Sequence, residues 1–430
     1  MRLLASQVAE ATGGRLSGPD VEVRGASFDS RSTRSGDLFV PIVAERDGHD
    51  FIDTALEAGA SAYLTTEEPL ETGTAIRVDD TSLALMALAT WARRRLDIPV
   101  VGVTGSVGKT STKDLIAAAL GATRRVTANE RSFNNEQGLP VTILGTPDDA
   151  EVLVVEMGMR GFGEIQRLCD VAAPTIGVVT AVASSHTGRV GGIEGVAVAK
   201  RELVERLPRS GTAILNADDE RVARMNAHTP ATVVTYGEQG DVRISAIELD
   251  DLARPSFRVD SPWGIGDVQL SVSGRHMASN AAAAIAVCGV LTGSIDSALA
   301  ALADAHVSGM RMEIARSASG AVVVNDAYNA NPDSMRAALD ALAGVTAERR
   351  MAILGEMAEL DDPVVAHAEV LAAATERGIE VVVTGTDLYG IDPLDDPVAA
   401  LGTIGEGDAV LVKASRSAGL ERWVQPLLDA

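Results

Sequence analysis

A chain of 430 residues is too long for one ordinary hydrophobic core, so about two to four domains are expected. Hydrophobic residues make up 46% but aromatic ones only 3%, which means cores built mainly from Ala, Val, Leu and Ile. With 37 Lys and Arg against 60 Asp and Glu, the net charge of −23 argues against nucleic acid or an anionic membrane as partner.

An anionic substrate would therefore need local basic residues, helix N-termini or Mg2+. Cys169 and Cys288 are the two cysteines, which points to neither a disulfide framework nor a structural zinc site. The first 14 residues carry Glu10 and lack a continuous apolar stretch, so no signal peptide is expected. The longest apolar stretch, around 281–291, is too short to span a bilayer. A soluble cytoplasmic protein is the expectation.

Residues 1 to about 80 mix short strands (21–27, 38–41, 62–65) with a helical segment at 51–59. The alanine-rich, amphipathic stretch 81–96 predicts a helix leading into Pro99, a plausible boundary. From 98 onward, apolar runs at 98–103, 152–156, 176–182, 213–215 and 233–236 alternate with helical segments. Runs that are apolar throughout suit a parallel sheet covered on both faces. Residues 242–273 alternate instead (Val242, Ile244, Ile247; Phe257, Val259; Val268, Leu270, Val272), predicting an antiparallel appendage with one solvated face. An alanine-rich helix at 276–291 follows. Near Met310 the pattern restarts, with strands at 321–324, 351–354, 380–383 and 409–412 and helices at 334–342, 363–377 and 420–428. The expected fold class is α/β with three domains. These are a small α/β N-terminal domain (1–82), a central P-loop ATPase-like domain with a mostly parallel sheet (83–311) and a Rossmann-like C-terminal domain (312–430).

The most informative segment is Thr104-Gly-Ser-Val-Gly-Lys-Thr-Ser111, between the strand at 98–103 and the helix-like stretch 113–120. Strand, glycine loop and helix together form the context of a phosphate-binding loop. Gly105 and Gly108 let the N–H groups of Gly105, Ser106, Val107, Gly108 and Ser111 approach phosphate oxygens without a nearby Cβ. Lys109 would lie along the β- and γ-phosphates, and the Thr110 hydroxyl would ligate Mg2+. Val103 stands where the usual G-x-x-x-x-G-K-[ST] pattern has its first glycine. The plainer alternative is a tight βα turn with a chance lysine. ATP binding is the expectation.

Further candidates stand near that loop. Glu156 closes an apolar strand, at the edge where open α/β sheets bind ligands, and could hold Mg2+ directly or through water; the alternative is a solvated strand end. His186 follows the next strand in the same way, with a structural role equally open. Lys200 lies among Val196, Ala197, Val198 and Ala199, and periodicity alone favours an exposed lysine on an amphipathic helix. Asn134 and Asn135 precede Gly138-Leu-Pro140 in a polar turn that could present amides to a ligand or cap a helix. Asn329, Asn331, Pro332 and Asp333 carry turn chemistry, and Asp333 could be a helix N-cap. Arg311, at the boundary near Met310, could swing onto a γ-phosphate as domains close. The other histidines (His49, His228, His276, His306, His367) show no metal-ligand spacing.

Taken in order, the motifs resemble those of the Mur ligases, the ATP-dependent amide-forming enzymes of peptidoglycan synthesis. The pieces are Phe28-Asp-Ser-Arg31 with Gly36-Asp-Leu-Phe39 and Asp47-Gly-His49, then the glycine loop, then Ser132-Phe-Asn-Asn135. Glu156-Met-Gly-Met-Arg160, Lys200-Arg-Glu-Leu203, Gly274-Arg-His276 with Asn280, and Arg311-Met-Glu313 continue the series. The last third supplies Asp326-Ala-Tyr-Asn-Ala-Asn-Pro-Asp-Ser-Met335, Leu354-Gly-Glu-Met357 and Lys413-Ala-Ser-Arg416, so coverage is nearly the whole chain. The run Tyr328-Asn-Ala-Asn-Pro-Asp333 resembles the D-alanyl-D-alanine-adding members, whereas the diaminopimelate- and lysine-adding members have an Ala-His-Thr-Pro-Asp version.

The resemblance implies roles that spacing leaves open. Ser30 and Arg31 would contact a UDP moiety, and Asn134, Asn135 and Arg160 the rest of that substrate. Lys109 and Thr110 would hold phosphates and Mg2+, with Glu156 and His186 around the metal. Lys200 would be carbamylated, becoming an anion that helps position Mg2+. Asn280 would meet the adenine side, and Arg311, Asp326 and Asn329 the γ-phosphate and ribose. The implied substrates are ATP, UDP-N-acetylmuramoyl-tripeptide and D-alanyl-D-alanine, and a monomer is expected. The implied setting is peptidoglycan synthesis, hence cell-wall biogenesis, cell shape, cell division and the cell cycle.

Departures from the pattern are local: Thr187-Gly-Arg189 after His186, Val43-Ala44 before Glu45, and Asp361 after Leu360. The rival readings are a diaminopimelate-adding or folylpolyglutamate-type ligase, a non-catalytic scaffold, and a plain P-loop ATPase or kinase. Tyr328-Asn-Ala-Asn331, Asp29-Ser-Arg31, the intact Lys109, Glu156, His186 and Lys200, and the shifted glycine argue against them.

Overall fold

Three large β-sheets, besides one two-stranded pair, follow one another along the chain in the computed structural model, which describes residues 1–130, 133–183, 190–358 and 360–430. The first has five strands, β1 (Arg15–Ser17), β2 (Gly25–Ser27), β3 (Asp37–Phe39), β4 (Ala62–Thr65) and β5 (Ala75–Arg77), in the order β1-β5-β4-β3-β2. All neighbours are parallel except β1 and β5. The strand expected over 21–27 is divided. Its first part, Glu22–Val23, pairs with Leu3–Leu4, and its second joins the sheet as β2. Helix α1 (Thr81–Arg93) follows, with the Asp80 carboxylate accepting the Leu83 N–H at 2.9 Å as its N-cap.

The central sheet has nine strands. In chain order the elements are β6 (Val100–Thr104), α2 (Lys109–Gly121), β7 (Val126–Ala128), α3 (Gly138–Leu144), β8 (Val152–Glu156), α4 (Glu164–Ala172), β9 (Ile176–Val179) and α5 (Ile193–Glu205). They continue with β10 (Thr212–Asn216), β11 (Thr232–Gly237), β12 (Val242–Leu249), β13 (Pro255–Ser261), β14 (Gly264–Gln269) and α6 (His276–Thr292). The strand order is β14-β13-β12-β11-β10-β9-β6-β8-β7. Every neighbour is parallel from β7 to β12, and β12, β13 and β14 are antiparallel to one another.

The alternating segment 242–273 is therefore no separate appendage. Tyr236 and Gly237 pair with Val242 and Arg243, so its strands extend the same sheet. β7 escaped the apolar-run criterion because Val-Thr-Ala at an edge is short and only half-buried. Helix α6 is buried nearly all round, as its alanines predict, and a Cβ on its Gly289 would lie 2.1 Å from the Trp263 ring.

Helix α1 lies at the predicted boundary but packs on α3 and α4 as well as on the first helix of the chain, Ala5–Thr12. Its last residue, Arg93, is buried, and burial holds its guanidinium below the usual arginine range. It donates to the carbonyls of Ala172 and Leu96 at 2.7 Å and of Ala173 at 3.3 Å, joining the C-terminal ends of α1 and α4. Arg93→Ala leaves those carbonyls without their charged donor and is expected to destabilise this junction by about 2–3 kcal/mol. A urea titration followed by tryptophan fluorescence would show it as a lower first midpoint.

The third sheet is built from β15 (Glu313–Arg316), β16 (Val322–Asn325), β17 (Arg349–Leu354), β18 (Glu380–Val383) and β19 (Asp408–Lys413), in the order β15-β16-β19-β17-β18. β15 is an antiparallel edge strand that the sequence reading missed, and the remaining pairs are parallel. Helix α7 (Pro332–Gly344) is capped by Asn331, whose side chain accepts the Ser334 N–H at 2.9 Å. Asp333 therefore lies inside the first turn and is not the cap. The helix expected over 420–428 is a 3-10 turn, Leu420–Trp423, followed by the short helix Val424–Asp429. The third unit touches the central one through the Thr346 N–H, which donates to Asp251 O at 2.9 Å. Among the described residues, no helix is long and apolar enough to cross a membrane.

Candidate active site

β6 lies between β9 and β8, so the chain leaves it at the point where the strand order reverses direction, the usual position for a ligand crevice in an open α/β sheet. The glycine loop 104–108 occupies that point. Gly105 has φ +153°, and a Cβ there would lie 1.8 Å from Thr180 Oγ1. Gly108 has φ +81° as the N-cap of α2, and a Cβ there would lie 2.8 Å from Asn280 Oδ1. Both positions require glycine. The loop is tied to the segment after β9: Ser106 N donates to Ala181 O at 2.7 Å, Ala183 N to Ser106 Oγ at 2.9 Å, and Thr180 Oγ1 to Val107 O at 2.6 Å. The N-terminus of α2 consequently faces open space, an arrangement that attracts anions.

Glu156 is no solvated strand end. It is 1% exposed, because β6 and β7 flank β8 on both sides. Its Oε2 accepts the Thr110 hydroxyl at 2.6 Å, and its Oε1 accepts Asn134 Nδ2 at 2.7 Å. A carboxylate and a hydroxyl oxygen this close form a hard-oxygen donor pair of the kind Mg2+ takes. Asn135 has the other role foreseen for this turn: its Oδ1 accepts the N–H groups of Gln137 and Gly138 at 3.2 and 2.9 Å, leading into α3.

Lys109 folds back on the loop, donating to the carbonyls of Gly105 and Ser106 at 2.8 and 3.3 Å. Burial lowers its pKa, Glu156 opposes that shift, and Arg311 reinforces it. Lys200 is 3% exposed, against the expectation of a solvated lysine. On the helical period, Val196, Ala199, Lys200 and Leu203 share the inward face of α5, whereas Ala197, Val198 and Arg201 do not. Burial drives the Lys200 amine well below the ordinary lysine range, and the like charge of Lys109 adds to the effect.

Two cavities meet here. One, of about 350 Å3, is lined by the loop from Ser106 to Ser111 and by Glu156, Asn280, Arg311, Asp326 and Asn329. The other, of about 380 Å3, is lined by Asn134, Asn135, Arg160 and Lys200 among others. Lys109, Asn134 and Asn329 line both. The C-terminal unit thus supplies one wall of the first cavity. There Lys413, buried, pairs with Asp326 Oδ2 at 2.5 Å and donates to Asn329 O at 2.9 Å. Arg311 is flanked by Met310 and Met312 with φ +61° and +53°, left-handed conformations that cost about 1–2 kcal/mol each. The backbone is held there by the Tyr328 N–H on Met310 O at 3.2 Å and by the Met312 N–H on Asp326 Oδ1 at 3.1 Å. The Arg311 guanidinium lies over the Tyr328 ring, 4.1 Å from its centroid.

Residues 103–288 match the Mur ligase middle domain, and residues 310–427 match the Mur ligase glutamate ligase domain. The chain belongs to the Mur ligase family. Over 98% of its length it is 36% identical to 96% of the UDP-N-acetylmuramoyl-tripeptide–D-alanyl-D-alanine ligase of Mycobacterium tuberculosis. The crystal structure of MurF from Acinetobacter baumannii superposes with a TM-score of 0.88 at 26% identity, covering 100% of this chain and 99% of that one. MurF from Thermotoga maritima, solved in complex with ADP, superposes with a TM-score of 0.82 at 27% identity over 94% of this chain and 97% of that one. The α/β fold class and the three-sheet architecture are those of a Mur ligase.

Of the remaining candidates, His186 lies outside the described residues. Ser30 and Arg31 line neither cavity; they follow β2, where Arg31 Nε and Nη2 form a bidentate pair with Asp29 at 2.9 and 2.7 Å. The Arg160 N–H donates to Glu164 Oε2 at 2.7 Å at the rim of the second cavity. Thr180, Asn216, Tyr328 and Lys413 line the first cavity without having been assigned a role from sequence. Lys413 did carry a signal, as a lysine ending the apolar strand β19. Asp47, His49 and Glu67 bring three potential ligand atoms within 4.8 Å of one another. There the His49 Nε2 accepts the Thr66 N–H at 3.2 Å and Nδ1 pairs with Asp47 at 2.6 Å, so the ring is an internal bridge.

Proposed function

We infer that the chain is an ATP-dependent ligase, ADP-forming, that joins D-alanyl-D-alanine to the peptide carboxylate of UDP-N-acetylmuramoyl-tripeptide. The observation that carries this reading is the meeting of the two cavities at Lys109, in a chain similar to such ligases over nearly its full length. A carboxylate is a poor electrophile, and transfer of the γ-phosphoryl group turns its oxygen into a leaving group. The free amine of D-alanyl-D-alanine then attacks the acyl phosphate and releases phosphate through a tetrahedral intermediate.

In this reading the N–H groups from Gly105 to Ser111 cradle the ATP phosphates, and Lys109 offsets the charge of two anions brought together. Asn280 faces the adenine side, and Arg311, Asp326 and Asn329 meet the γ-phosphate and ribose. Thr110 and Glu156 would hold Mg2+, joined by His186 and by Lys200 as a carbamate. That ion would supply Lewis-acid polarisation and charge neutralisation at the phosphates. A buried neutral amine is the form that adds CO2, so the lowered pKa of Lys200 favours the modification. Ser30 and Arg31 would take the UDP end of the substrate, and Asn134, Asn135 and Arg160 its peptide end. The division of labour is 1–82 for UDP, 83–311 for ATP and 312–430 for closing the site. A cytoplasmic monomer serving cell-wall biogenesis, cell shape, division and the cell cycle completes the proposal.

The test is phosphate release from ATP with UDP-N-acetylmuramoyl-tripeptide and a panel of acceptors. Release that requires both the tripeptide substrate and D-alanyl-D-alanine is the expected result. No release above background at any Mg2+ concentration overturns the reading. Release that instead requires UDP-N-acetylmuramoyl-L-alanyl-D-glutamate and a diamino acid would favour the diaminopimelate-adding type.

A further inference from the structure

Glu156 is held on both oxygens, and one of its holders belongs to a loop that the N-terminal unit touches. Thr110 alone would leave the carboxylate free to turn; the Asn134 amide on Oε1 fixes its plane. Asn134 has little room to move. Its amide lies over Gly158, where a Cβ would come within 2.9 Å of Asn134 Cγ and Oδ1, and its carbonyl accepts the Gly158 N–H at 2.8 Å. Asn129 holds the main chain of the same carboxylate residue: its Oδ1 accepts the Glu156 N–H at 2.8 Å, and its carbonyl accepts the buried Lys113 ammonium at 2.7 Å.

The outer side of this loop faces the N-terminal unit. Phe133, next to Asn134, packs on Phe28 with ring centroids 5.5 Å apart, and Arg34 pairs with Glu130 at 3.0 Å. The ion pair is exposed on both sides and contributes little, so the aromatic contact is the firm one. Phe28 is followed directly by Asp29, Ser30 and Arg31, the segment read above as the UDP end of the site.

We propose that Asn134 is a positioning residue for Glu156 and that the N-terminal unit sets it through the Phe28–Phe133 contact. Occupancy of the sugar-nucleotide loop and of the magnesium–nucleotide site are then coupled, and the coupling is reciprocal. This rests on the nucleotide reading of the first cavity.

The experiment is calorimetric titration of the full chain with ADP, with and without Mg2+. Asn134→Ala is expected to weaken magnesium-dependent ADP binding about tenfold, as loss of a partner behind a metal ligand does. Phe28→Ala is expected to weaken it about fivefold, although Phe28 lines neither cavity. Phe28→Leu, which keeps the apolar filling, should restore most of the affinity and separates coupling from misfolding. The double variant should lose no more than Asn134→Ala alone, and metal-free ADP binding should stay at the parent value in Phe28→Ala and Phe28→Leu, whose altered residue lines neither cavity. Parent-like affinity in Phe28→Ala, losses that multiply in the double variant, or equal losses without Mg2+ would each overturn the inference while leaving the nucleotide reading intact. An unaltered chain that binds no ADP overturns both.

Discussion

Lys109→Ala is expected to lower turnover by about 10²–10³-fold, the usual effect of removing one preorganised charge from a transition state. Among the described residues its ammonium is the one cationic group that lines both cavities, so it lies between the phosphate donor and the carboxylate acceptor of the proposed reaction. Affinity for UDP-N-acetylmuramoyl-tripeptide should stay within about twofold, since Ser30 and Arg31 lie outside both cavities and uniform binding is separable from transition-state binding. Steady-state phosphate release and calorimetry on the same preparation measure the two quantities. Loss of substrate affinity together with turnover would show that the N-terminal unit does not grip the UDP end independently.

The second large effect concerns Lys200. Its amine is held below the ordinary lysine range by burial and by Lys109, which raises the share of the neutral form that adds CO2. Incubation with 13C-bicarbonate is expected to give a carbamate carbonyl resonance that Lys200→Arg lacks, because a guanidinium does not deprotonate in proteins. Protonation competes with carbamate formation, so the resonance should fade as pH drops and return as it rises. Lys200→Ala is expected to reduce turnover by about 10²–10³-fold through loss of the anion that would help position Mg2+ at the phosphates. A resonance of equal strength in Lys200→Arg would remove the modification from the mechanism.

The elements that the sequence made legible are those with local causes. The apolar runs behind β6, β8 and β9 are buried throughout, and such runs need no knowledge of their neighbours. The glycine loop was equally readable, because Gly105 and Gly108 occupy backbone conformations that a side chain would strain. Lys200 was readable in principle: its spacing from Val196 and Leu203 puts it on the buried face, but an inward lysine contradicts the usual assignment of charge to solvent. The edge strands β7 and β15 were not readable, since each borrows its stability from a partner strand.

By itself, then, the sequence determined three α/β units, a nucleotide-type loop after β6, and through its ordered motifs the family. Which side chains meet was left to tertiary structure. Asn134 reaches Glu156 because β7 and β8 are neighbours, and Asp326 reaches the Met312 N–H because β16 leads back to the strained Met310–Met312 segment. Local periodicity encodes burial of one face at a time, whereas these contacts depend on strand order and on how the units dock. No window of sequence short enough to have a period contains that information.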